Sequence, residues 1–133
     1  MIIQNQTEGI HSGADKIYAT LGNFQILEKM MPEQVQNWKA TDEHCEFTVS
    51  GMASFQMDIV EKVADSKIVF RMTNDKNIPI LLSFDINKTG ETCRLDVTID
   101  AEVPLFLQSV IKNPLQKVAD TLGEKIKNYT EQQ

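Results

Sequence analysis

Cysteine is scarce in this chain: Cys45 and Cys93 are the two among 133 residues. Their spacing fits neither a disulfide framework nor a metal or redox motif. Histidine is equally rare, with only His11 and His44. A zinc site takes about four convergent ligands, and the adjacent pair His44-Cys45 would point to opposite faces of a strand. No metal and no cofactor is expected. Basic residues are outnumbered, 13 against 19 acidic ones, giving a formal charge of -6 with no block of one sign. Nucleic acids and anionic membranes need clustered cations, so neither is expected as a partner. No apolar run approaches the roughly 18 residues of a membrane span, and no basic segment followed by an apolar run opens the chain. We expect a cytoplasmic protein without stable membrane insertion, folded as a single domain, 1–133, large enough to bury a core unaided.

Four prolines and six glycines are few enough to act as punctuation. Asn113-Pro114 predicts a helix start, because proline disfavours a helical residue before it and suits the first helical position. Asn113 would be the N-cap, with Gln116 reaching back as in a capping box. Leu115, Val118, Ala119, Leu122, Ile126 and Tyr129 then recur at three- and four-residue steps, one apolar stripe along about 24 Å of helix. Near the start, Ile2 to Ile10 reads as a largely polar edge strand. Ser12 caps a short helix from Ala14 to Leu21 that buries Ile17, Tyr18 and Leu21, and Gly22 ends it. Asn23 caps a second short helix, Phe24 to Met30, stopped by Pro32.

Beyond Pro32 the period changes to two. Val35 to Ala40, around the lone tryptophan Trp38, opens a series of strands cut by turn residues at 41–43, Gly51, 64–66, 74–77 and 88–90. Joints of that length predict antiparallel neighbours. Alternate residues make an inner face of Cys45, Phe47, Val49; Phe55, Met57, Ile59; Ile68, Phe70, Met72; Ile80, Leu82, Phe84, Ile86; and Cys93, Leu95, Val97, Ile99. The other face is polar, as expected where one side meets water and the other a helix.

Strand, two short helices, six antiparallel strands and a long last helix form the order of a helix-grip fold. The chain resembles the SRPBCC superfamily (START-like, birch-pollen-allergen-like, polyketide-cyclase-like), in particular its small bacterial members. The resemblance rests on Lys16-Ile17-Tyr18-Ala19-Thr20-Leu21, Met31-Pro32 with Val35-Gln36-Asn37-Trp38, Cys45-Glu46-Phe47-Thr48-Val49-Ser50-Gly51, Ile59-Val60-Glu61-Lys62 and Lys112-Asn113-Pro114-Leu115. It implies an α+β fold in which a curved antiparallel seven-stranded sheet wraps around a long C-terminal helix, with two short helices between strands 1 and 2 and an apolar cavity under the last helix. No catalytic residues carry over: there are no Rieske Cys-His pairs, and no acid, base or guanidinium aligns with a cyclase site.

The residues expected to surround a ligand are Trp38, Phe47, Phe55, Met57, Phe70, Met72, Leu82, Phe84, Leu95 and Val97 from the sheet, and Leu107, Ile111, Leu115, Val118 and Leu122 from the C-terminal region. The same Phe and Met side chains could simply fill a core. An empty void of roughly 300 Å³ would cost about 7 kcal/mol at about 24 cal/mol per Å³, so the cavity is small, filled, or closed when nothing is bound. Glu61 shares parity with Met57 and Ile59 and could place a carboxylate in the cavity, unless solvent or Lys62 or Lys67 claims it. Asn37, Lys39, Gln108 and Lys112 could reach its rim. Gly123, beside the apolar stripe, marks room for a ligand, a close strand, or incidental packing. Leu105 and Phe106 could gate the cavity, form a dimer contact, or pack within a connecting helix. The expected function is non-catalytic binding of a small hydrophobic molecule, lipid or isoprenoid-like, by a monomer or homodimer. The alternatives are a cyclase- or hydrolase-like enzyme of the same superfamily and a protein-interaction module akin to chaperone activators.

Overall fold

The computed structural model describes residues 1–51 and 53–132. The elements run β1 (Ile2–Ile10), α1 (Ala14–Leu21), α2 (Phe24–Glu28), β2 (Val35–Ala40), β3 (His44–Val49), β4 (Ala53–Val63), β5 (Lys67–Asn74), β6 (Ile80–Thr89), β7 (Thr92–Ala101) and α3 (Leu105–Glu131). All strands join one antiparallel sheet in the order β1-β7-β6-β5-β4-β3-β2. Strands β2 to β7 are thus a plain meander, and the polar first strand closes onto the last as an edge, as its sequence predicts. The inner residues read from parity are buried throughout, except half-buried Ile59. Helix α3 lies across that face, and α1 and α2 cover the sheet beside it. This is the helix-grip fold.

Short-range signals set the two small helices. Gly22 caps α1, and the Asn23 side chain accepts hydrogen bonds from the N–H groups of Gln25 and Ile26 at 3.0 and 3.1 Å. Two details differ from expectation. The N-cap of α1 is Gly13, one residue after Ser12, because the Gly13 carbonyl accepts from Lys16 N and Ile17 N; the Ser12 hydroxyl is buried with no hydrogen-bond partner. Helix α2 stops at Glu28 instead of Met30, its last turn tightening into bonds from Lys29 N to Ile26 O and Met30 N to Leu27 O.

The larger correction concerns Asn113-Pro114. The chain does not start a helix there: α3 runs unbroken from Leu105, with Pro104 as N-cap and Pro114 in its interior. Gln116, no longer near a helix start, donates instead to Gln4 O and Asp120 Oδ1. The physical reason lies in the residues before the proline. Half-buried Leu107 and buried Ile111 extend the stripe of Leu115 and Leu122 at four-residue steps, so a continuous helix buries more apolar surface than a break would. Proline removes one N–H, leaving the Val110 carbonyl without its partner four residues on. Val110 is 66% exposed, so water can serve that carbonyl at little cost.

Candidate functional site

Between α3 and the inner face lies a closed space of about 30 Å³. Eight of the fifteen expected site residues line it: Phe47, Phe55, Met57, Met72 and Leu82 from the sheet, and Leu115, Val118 and Leu122 from α3. Five more were not singled out as site residues. Val49 and Ile99 have the right parity, Met31 and Val35 come from the connection between α2 and β2, and Pro114 does so because it sits inside the helix. All thirteen side chains are apolar, and three are methionines. At about 24 cal/mol per Å³, so small a void costs less than about 1 kcal/mol, and an apolar space of this kind stays dry.

The other seven expected residues surround the space without bordering it. Phe70 and Phe84 meet edge-on, with centroids 5.8 Å apart, and Phe24 of α2 packs on Phe70 at 5.7 Å. Leu95 and Val97 are fully buried under α3, with Ile111 nearly so. Leu107 is half-buried. Trp38 stacks on Phe47 at 5.2 Å, which in turn stacks on Phe55 at 5.4 Å, while its indole N–H donates to Phe24 O at 3.1 Å. The tryptophan thereby ties β2 to α2 behind Phe47, which does line the space.

Glu61 is not in the site. Ile59 pairs with Phe70, but the next pair is Glu61 with Val69, so Val60 is an extra residue and parity reverses at the bulge. Glu61 is consequently on the outer side, half exposed, 3.7 Å from the Lys67 ammonium. The rim candidates are also engaged elsewhere. Asn37, in a left-handed conformation at a bulge in β2, donates to Thr48 Oγ1, and Gln108 donates to Val103 O. Lys112 is exposed on α3, and Lys39 borders an open depression of about 530 Å³ on the outer face, together with Glu46, Gln56 and Asp75. That depression is larger than the internal space but open to solvent and rimmed by charged and amide groups.

Cys45 is buried on the inner face, and burial pushes its thiol up to about 12, with the Asp58 and Glu46 carboxylates adding to the effect. Cys93 is buried as well, and burial raises its thiol too. Neither is poised as a thiolate nucleophile at neutral pH. His44 points outward, its Nδ1 2.8 Å from Asp58 Oδ1 and its Nε2 3.6 Å from Glu46 Oε1. The hydrogen bond to Asp58 is the main reason its pKa is raised, with partial burial opposing and Glu46 assisting. Among the described residues, no helix is long and apolar enough to cross a membrane.

No protein-family model and no curated protein matches the sequence. Solved structures do match in shape. A START superfamily protein from Mycobacterium smegmatis is 16% identical, with a TM-score of 0.76 over 98% of this chain and 97% of that one. A conserved protein from Geobacillus kaustophilus is 11% identical, with a TM-score of 0.77 over 99% and 96%. Norcoclaurine synthase from Thalictrum flavum is 12% identical, with a TM-score of 0.74 over 97% of this chain and 85% of the enzyme. At such identities the likeness speaks for architecture, and with the sheet order and the gripped helix it establishes that this chain has the START-like (SRPBCC) helix-grip fold.

Proposed function

We propose that the protein binds a small apolar molecule, lipid or isoprenoid-like, between the sheet and α3, without covalent chemistry. The observation that carries this reading is the lining: thirteen apolar side chains, including Met31, Met57 and Met72, meet at one closed space under the gripped helix. Methionine changes rotamer readily and re-packs around different shapes. The space is about 30 Å³ in the closed form, so binding widens it by moving these side chains and α3. Closing on itself avoids the roughly 7 kcal/mol that a void of 300 Å³ would cost. The non-catalytic part of the reading is supported by the interior: among the described residues, the polar ones that are buried as whole residues, Thr20 and Thr130, are held by the carbonyls of Lys16 and Ile126. Neither supplies a free acid or base.

The test is direct. Gently purified protein, extracted with organic solvent, should release a hydrophobic compound detectable by mass spectrometry. A ligand at about one hundred times its dissociation constant should add about 2.7 kcal/mol of stability. An empty extract together with no thermal shift across a panel of lipids and isoprenoids would sink the reading.

A protein-contact role is favoured by one observation. The first turns of α3 hold Leu105, Phe106 and Val110 at 86, 79 and 66% exposure. The occupant this second reading commits to is another copy of the chain, pairing helix to helix. Three side chains fall well short of the roughly 800 Å² per partner of a stable interface, so the dimer would be weak. Sedimentation that is concentration-independent, and identical for Phe106→Glu, would remove it.

A further inference from the structure

The flanks of α3 are not equivalent. Gly123 sits against Asn5 and Thr7 of β1, and at 100° per residue the opposite flank carries Pro114, Val118, Thr121 and Lys125. Pro114 and Val118 border the apolar space from that flank, and Met31 and Val35 border it from the connection between α2 and β2. These four are only half-buried, whereas Phe55, Met57, Leu82 and Leu122 deeper in are buried. The seam between α3 and residues 31–35 is therefore the way in.

Among the described residues, one polar contact bridges that seam: the Lys125 ammonium donates to the Met31 carbonyl at 3.3 Å. Lys125 is exposed and belongs to none of the ion pairs formed among the described residues. Its helical neighbours three and four residues away are Thr121, Leu122, Asn128 and Tyr129, none of them acidic. Glu28 and Glu33 flank the connection, both exposed and neither in an ion pair with it. Inside, no lining side chain can hold a polar head group, and carrying an ionised one inward without partners is prohibitively costly. A ligand's head group must stay at the seam, where the cation that reaches across to the connection is Lys125.

We infer that the ligand is an amphiphile with a carboxylate head, its apolar chain between the sheet and α3 and its carboxylate on Lys125 at the seam with Met31. This rests on the apolar-ligand reading above. Admitting the chain parts α3 from residues 31–35 and so releases Lys125 from the Met31 carbonyl. A carboxylate then replaces a neutral acceptor with a charged one, which makes the shorter and stronger bond.

The experiment compares dodecanoic acid with dodecanol as displacers of Nile red from the full chain, at about pH 8, where the acid is ionised, and about 0.15 M salt, where the screening length is about 8 Å. The acid should displace the dye at about threefold lower concentration than the alcohol, the scale of a solvent-accessible charge pair. Lys125→Gln should abolish that preference and leave the alcohol unchanged. Lys76→Gln, the same charge change in the loop between β5 and β6, should keep it. Equal displacement by acid and alcohol, or a preference that survives Lys125→Gln, overturns the head-group assignment while leaving the apolar site standing. Displacement by neither, with no dye bound at the outset, removes the apolar-ligand reading and this inference together.

Discussion

Gly123 of α3 lies so close to Asn5 of β1 that a Cβ on the glycine would overlap the asparagine side-chain oxygen and the neighbouring Thr7 hydroxyl. Those two groups are themselves occupied. Thr7 Oγ1 donates to Asn5 Oδ1 at 2.8 Å, and Asn5 Nδ2 donates to Asp120 Oδ1 at 3.0 Å, one turn before Gly123 on the same helix. Among the readings open to a helix glycine, this one is room for a close strand.

Gly123→Ala should therefore lose stability despite its better helix propensity. The gain is about 1 kcal/mol. Against it stand two hydrogen bonds worth about 1 kcal/mol each, both displaced by the new methyl, so a net loss of about 1 kcal/mol is expected in urea unfolding. In an Asn5→Ala, Thr7→Ala background the obstruction is gone and the same substitution should become stabilising. A stabilised single variant would show that the strand side chains simply step aside.

Most of the architecture was legible because period-two alternation survives wherever strands pair without interruption. Val69 apart, which is buried despite its outer parity, parity alone sorted buried from exposed from His44 to Val49, from Ala53 to Met57, from Ile68 to Asn74 and from Ile80 to Ile99. It failed where a bulge inserts a residue: at Asn37, which lets Val35, Trp38 and Ala40 all turn partly inward, and at Val60, which turned Glu61 out. A bulge in the middle of a strand leaves no required residue type behind, so nothing in Ile59-Val60-Glu61 announces it. Pro114 misled for a different reason. Its local preference was read correctly, but the burial of Leu107 and Ile111 on the far side decided the outcome. The closure of the cavity down to about 30 Å³ was foreseen only as one of three options, because side-chain volume against curved backbone cannot be summed from a pattern.

Glu61→Gln should leave binding of any apolar ligand unchanged. The carboxylate sits on the outer side of β4 with half its side chain in solvent, and its partner Lys67 is 3.7 Å away and also partly exposed. Exposed pairs of this kind contribute about 0 to 1 kcal/mol, so the midpoint of urea unfolding should move by at most that. A change in ligand affinity beyond twofold would place Glu61 in contact with the ligand after all.

His44 gives the fold a small pH dependence whose sign follows from its partners. Its hydrogen bond to Asp58 favours the imidazolium, so the folded-state pKa lies above the ordinary value of 6.5. The folded state thus holds the proton more tightly than the unfolded chain. The resulting stabilisation is complete below 6.5 and is lost as pH rises through the raised folded value. His44→Gln should flatten that segment of the stability profile, and NMR titration of the ring should report a pKa above 6.5 that falls in Asp58→Asn. A ring that titrates at or below the ordinary value would mean that the 2.8 Å contact does not persist in solution.

Pro114→Ala sets stability against adaptability at one position. Restoring the N–H lets residue 114 donate to the Val110 carbonyl and removes the steric conflict of a proline ring within a helix, a combined gain of up to about 3 kcal/mol. Two effects reduce it. Water already reaches the exposed turn at Val110, and the pyrrolidine ring that lines the apolar space is exchanged for a smaller methyl, enlarging the void at about 24 cal/mol per Å³. A net stabilisation of about 1 kcal/mol is expected from thermal or urea unfolding. Because the missing bond is also where α3 bends most easily, the variant should exchange amide protons more slowly over residues 110–118 and associate with an apolar ligand more slowly. A destabilised variant would mean that the ring's packing over Leu115 and Val118 outweighs the bond it forbids.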